Sequence, residues 1–117
     1  MPTKLELSRQ AMLEIGVTAP DENLSAQDFA DVGARYEQRL VMLQEDNYAD
    51  FEADDIPDAA MPGLIRIVAY EIAPMFGVNR KTLVEANGDT WEDRGLAMLR
   101  RYMRQKPDYE ATRVDYF

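Results

Sequence analysis

A chain of 117 residues is the size of one domain, and its 46% apolar content is enough to bury a single core. Lys and Arg number 13 against 22 Asp and Glu, a net charge of −9, which argues against the clustered basic surface of a sequence-reading nucleic-acid binder. Cysteine and histidine are both absent, which removes disulfides, thiolate nucleophiles, Cys- or His-ligated metals and the commonest general base.

Thr3 and Glu6 stand at capping-box spacing and predict the start of a first helix. Leu5, Ser8, Met12 and Ile15 fall on one face, with Ala11 beside them. Gly16 takes the place of a left-handed residue that stops the helix. Residues 17–24, with Pro20, Asp21 and Asn23, read as a loop. Ser25 and Asp28 then open a second helix over about residues 26–46. Its stripe of Phe29, Val32, Tyr36, Leu40, Leu43 and Asn47 recurs at three- and four-residue steps. Gly33 is either a weak point or a place where another helix comes close. Val41 and Met42 lie off the stripe, so this helix is expected to touch more than one neighbour.

Residues 47–58 are irregular and acidic, and Ile56-Pro57 closes them, since proline pushes its predecessor toward an extended conformation. A third helix begins near Pro62. Leu64, Ile65, Val68, Ile72 and Met75 mark its buried face, with Ile67, Ala69 and Phe76 on the flanks, so it reads as the central helix. Pro74 should bend or end it, and Gly77 should cap it.

Residues 80–106 read as one further helix, with Val84, Trp91, Met98 and Tyr102 on its face. Its weak point is Asn87-Gly88-Asp89, which also reads as a turn after which Thr90 and Asp93 could cap a new helix. Arg100, Arg101, Arg104 and Lys106 suit its C-terminal end. After Pro107 the helical pattern stops. Residues 107–117 are dense in aromatic and β-branched side chains, as in an extended segment that orders on a partner. The expected architecture is all-α: a small bundle of about four helices over residues 1–106, followed by an extended C-terminal tail.

The charge is unevenly spread. Residues 21–60 carry twelve acids against Arg35 and Arg39, a net −10, whereas residues 61–106 carry a net +3. Opposite flanks of this kind suit association between like subunits; a merely solvated acidic face is the plainer alternative. Sites for chemistry are scarce. The adjacent acids Glu45-Asp46, Asp54-Asp55 and Glu92-Asp93 do not face each other across a cleft, as a general acid and base must. The acids of residues 50–55 lack the central glycine and terminal glutamate of a calcium loop. No glycine pattern cradles a phosphate, so no cofactor is expected. The seven methionines fall largely at core spacings. The densest apolar stretch, residues 64–69, is short and broken by Arg66, and the N-terminus has no apolar signal core. Neither membrane insertion nor export is therefore expected.

One succession is more specific: Ile15-Gly16-Val17 closing a short helix, a long amphipathic helix, Ile56-Pro57, an apolar helix, Ile72-Ala73-Pro74-Met75-Phe76-Gly77, and a last helix ending in Arg100-Arg101. Over residues 4–104 this resembles the head-to-tail connector (adaptor) proteins of tailed bacteriophages and gene transfer agents. The resemblance implies a non-enzymatic virion protein of the capsid neck, assembled in the host cytoplasm. Such proteins form a ring, commonly of twelve copies, under the portal protein, extend the DNA channel, and dock tail or head-closure proteins. Their C-terminal segments commonly reach the portal. On that reading Tyr109, Val114, Tyr116 and Phe117 are docking anchors, with Arg113 as a polar contact. Glu45, Asp46, Asp50, Glu52, Asp54 and Asp55 are candidates for a channel lining that repels passing DNA. Two rivals use the same acids differently: a small acidic DNA-mimic inhibitor, and an enzyme that works with carboxylates alone.

Overall fold

The structure, a computed structural model, describes residues 2–16 and 26–105. The loop expected over residues 17–24, the Ser25 cap and the tail over residues 107–117 lie outside the described residues. Four α-helices follow in order: α1 (Lys4–Glu14), α2 (Ala26–Glu45), α3 (Met61–Ile72) and α4 (Trp91–Gln105). Short 3₁₀ turns lie between α2 and α3 and between α3 and α4, and among the described residues the one β contact is an isolated Val84–Thr90 bridge. The all-α bundle is as expected.

The ends of the helices are local chemistry. The Thr3 hydroxyl accepts the Glu6 N–H at 3.4 Å, and Gly16 closes α1 at φ +76°. The buried face of α1, however, is Leu7, Ser8, Ala11 and Met12, whereas Leu5 is 56% exposed. The face expected through Leu5 is corrected because α1 packs against both α2 and α3, which rotates its buried stripe onto Leu7 and Ala11. Ser8 tolerates its burial by donating its hydroxyl to the Lys4 carbonyl at 2.8 Å.

The core runs through Val32, Tyr36, Leu40 and Leu43 of α2 and Leu64, Ile67, Val68 and Ile72 of α3. Asn47, expected on the α2 stripe, lies beyond the helix at φ +63°. Gly33 is indeed a close approach, but of the Lys4 stem rather than a backbone.

α3 is the central helix and packs against the other three. The stretch Asp58–Phe76 is long and apolar enough to cross a membrane, and α3 within it packs against the other three helices. Past Ile72 the chain tightens into a 3₁₀ turn (Ala73–Phe76) through Pro74 and ends at Gly77, φ +76°. That tightening shifts the helical phase, so Met75 is exposed rather than buried.

The single helix expected over residues 80–106 is corrected. A 3₁₀ turn (Arg80–Thr82) leads to a small loop in which the Glu85 N–H bonds the Asp89 carbonyl at 2.7 Å and Gly88 sits at φ +95°. Thr90 then caps α4, its hydroxyl accepting the Asp93 N–H at 3.1 Å. The turn chemistry of Asn87-Gly88-Asp89 overrides the weaker apolar periodicity across it. Val84 therefore shares no helical face with Trp91 and is exposed.

α3 and α4 cross at Gly63 and Gly95. A Cβ on Gly63 would lie 2.9 Å from the Gly95 carbonyl oxygen, and one on Gly95 would lie 2.6 Å from the Gly63 carbonyl oxygen. The two backbones touch, and this brings the α4 side chains against the start of α3.

Candidate functional site

The acidic stretch 45–58 forms an exposed ridge, with Glu45, Asp46, Asp50, Glu52, Asp54 and Asp55 all at the surface. The segment is nevertheless tied down from three helices. From α2, the buried Tyr36 hydroxyl donates to the Ala53 carbonyl at 3.0 Å, and Gln44 Nε2 donates to the Phe51 carbonyl at 2.9 Å. At α1, the Lys4 N–H donates to Asp54 Oδ1 at 3.0 Å, and the Ile56 N–H reaches the Pro2 carbonyl at 3.0 Å. From α4, the Tyr102 hydroxyl donates to Asp50 Oδ1 at 2.8 Å, and Arg100 Nη2 donates to the Tyr48 hydroxyl at 2.6 Å while lying over the Tyr48 ring. Apolar anchors complete the attachment: Ala49, Phe51 and Ile56 are buried, and the Phe51 ring meets Tyr102 edge-on at 6.2 Å.

The six acids thus divide. Asp54 caps α1 from a distance and Asp50 receives Tyr102. Glu45, Asp46, Glu52 and Asp55 project from the ridge. Burial, with the Asp54 and Glu37 charges nearby, pushes the Tyr36 phenol well above its ordinary value. Burial and the bond to Asp50 push the Tyr102 phenol up to about 12. Among the described residues no three acids converge closely enough to hold a metal ion.

The ridge borders a groove of about 270 Å³. Ala59, in the 3₁₀ turn before α3, and Pro62, in the first turn of α3, form one wall, and Ala97, Met98 and Tyr102 of α4 form the other. Arg94, Arg101 and Gln105 stand along it. Among the described residues Arg101 and Arg104 take no ion-pair partner, whereas Arg94 lies 3.8 Å from Glu85. Glu85 also draws Arg66, whose Nε sits at 3.5 Å but outside hydrogen-bond geometry. On the side of α4 that faces α2, Arg39 meets Glu92 at 3.1 Å and Arg100 meets Tyr48. The groove side chains project from the other side of α4.

The groove has no counterpart in the sequence pattern. Its residues come from positions more than 30 apart and meet only because α3 and α4 cross at two glycines. The one sequence hint is the group Arg94, Ala97, Met98 and Arg101, a small and basic patch at helical spacing on α4. The docking anchors Tyr109, Arg113, Val114, Tyr116 and Phe117 lie outside the described residues. Comparison with known protein families, with curated proteins and with solved structures finds no match.

Proposed function

We propose that this protein is a structural adaptor of the head-to-tail connector kind, assembling as a ring beneath a portal protein and extending the channel through which DNA passes. The observation that supports the reading best is the acidic ridge of residues 45–58, exposed at the surface and held by bonds from α2 to its backbone and from α1 and α4 to Asp54 and Asp50. Carboxylates that repel a sliding polyanion must stand at the surface with their charge unneutralised, and Glu52 and Asp55 are exposed and take no ion-pair partner among the described residues. The tail over residues 107–117 serves as the portal hook in this reading.

Native mass spectrometry of the full chain with the portal protein from the same genome tests it. The expected result is many copies of the chain on one portal ring, lost when residues 108–117 are deleted. A chain that stays monomeric or dimeric beside the portal overturns the reading. If the same ridge instead captures a DNA-binding protein in competition with DNA, the DNA-mimic alternative takes its place.

A further inference from the structure

α2 presents an apolar knob to solvent. Val41 and Met42 are 53% and 52% exposed, and Glu45 lies one turn further along the same outward face, with Asp46 following. The groove on the far flank of α4 has the complementary character. It is floored by Ala59, Pro62, Ala97 and Met98 and edged by Arg94 and Arg101. Apolar meets apolar and acid meets arginine. The two patches lie on different flanks: Val41 projects from the side of α2 opposite Arg39, which meets Glu92 of α4, and the groove lies on the face of α4 away from Glu92.

We propose that the knob of one copy, Val41 and Met42 with Glu45 and Asp46, docks into the Ala59–Met98 groove of the next, where Arg94 and Arg101 receive the two acids. Patches on separate flanks cannot pair by a two-fold axis and instead give a head-to-tail contact, which closes into a ring or continues as a filament. The inference rests on the reading of this chain as a self-assembling adaptor and supplies the contact by which copies would join.

The natural chain has no cysteine, so introduced thiols report the contact without background. Met42→Cys and Met98→Cys chains are made separately, checked for native helicity by circular dichroism, and oxidised with glutathione disulfide alone and with the portal protein. A mixture of the two is expected to give a mixed dimer about tenfold faster than either variant by itself, because docking raises the effective concentration of the thiols. Adding Glu45→Arg to the first chain should slow that reaction, and adding Arg101→Glu to the second should recover it. Equal cross-linking of the Met42→Cys chain with itself, or none in the mixture under either condition, overturns the contact. Rings on the portal by native mass spectrometry, without this cross-link, would leave the adaptor reading standing and reject only the surfaces named here.

Discussion

Gly63 and Gly95 lie backbone to backbone, each occupying the space that the other's Cβ would need. Gly95 is the tighter of the two, since a Cβ there would also lie 2.5 Å from Ile67 Cγ1. Gly95→Ala should destabilise the fold by about 1–3 kcal/mol, the usual cost of overpacking, even after the gain in helix propensity. Gly33→Ala is the control. Its Cβ would meet the flexible Lys4 stem at 3.4 Å, an ordinary contact. It should stabilise by up to about 1 kcal/mol through propensity alone. Thermal melts of the three chains by circular dichroism check the opposite signs.

The acids of the ridge should separate by role. Asp54→Ala removes the acceptor at the first turn of α1 and should cost about 1 kcal/mol. Glu52→Gln and Asp55→Asn remove charges that take no partner among the described residues and should leave stability within about 0.5 kcal/mol. Urea midpoints decide this, and the same two neutralised chains are the appropriate ones in which to test DNA passage.

Alkaline pH should loosen the attachment of the ridge to α4. The Tyr102 phenol ionises near 10 when unfolded and near 12 when folded, because burial and the Asp50 charge disfavour its phenolate. The folded state therefore holds its full advantage below pH 10 and loses it as pH rises from 10 through 12. Tyr36 shifts in the same direction and adds to the loss. Ultraviolet titration of tyrosinate should show a late-ionising class that Tyr102→Phe diminishes, and that variant should lose about 0.5–1.5 kcal/mol at neutral pH with the hydrogen bond to Asp50.

Arg80 finishes α3 from outside it. Its guanidinium donates to the Tyr70 and Glu71 carbonyls at 2.9 and 3.2 Å and covers the Tyr70 ring. Arg80→Ala should cost about 1 kcal/mol by leaving two last-turn carbonyls without this donor, whereas Arg80→Lys should retain only part of that, having the charge without the fork. Hydrogen exchange should show the extra opening concentrated at the end of α3.

Much of the fold was legible residue by residue. Thr3 and Gly16 delimit α1, Gly77 ends the 3₁₀ turn after α3, and the α2 stripe from Val32 to Leu43 faces the core as its spacing predicts. These features rest on a side chain and backbone within a few positions, or on a contrast between apolar and charged faces strong enough to survive any neighbour. The departures share another origin. A period extended through a helix packed on two sides misplaces Leu5, and one extended through a change of winding misplaces Met75. Over residues 80–90 turn chemistry prevails over periodicity.

Of the candidate site, the acidic ridge was visible as composition, but its fixity was not. Nothing local relates Asp50 to Tyr102 or Lys4 to Asp54, which lie 52 and 50 positions apart and meet only in the packed bundle.

The amino-acid order by itself determined four properties: an all-helical chain, where most helices begin and end, a central apolar helix, and a segregation of negative from positive charge. Each depends on interactions between near neighbours or on simple counting. Only the tertiary structure decided which residues face outward together. The α3–α4 groove and the pinning of the ridge both require surfaces from distant segments to be brought into contact, and the crossing of two helices at facing glycines sets the geometry of the groove.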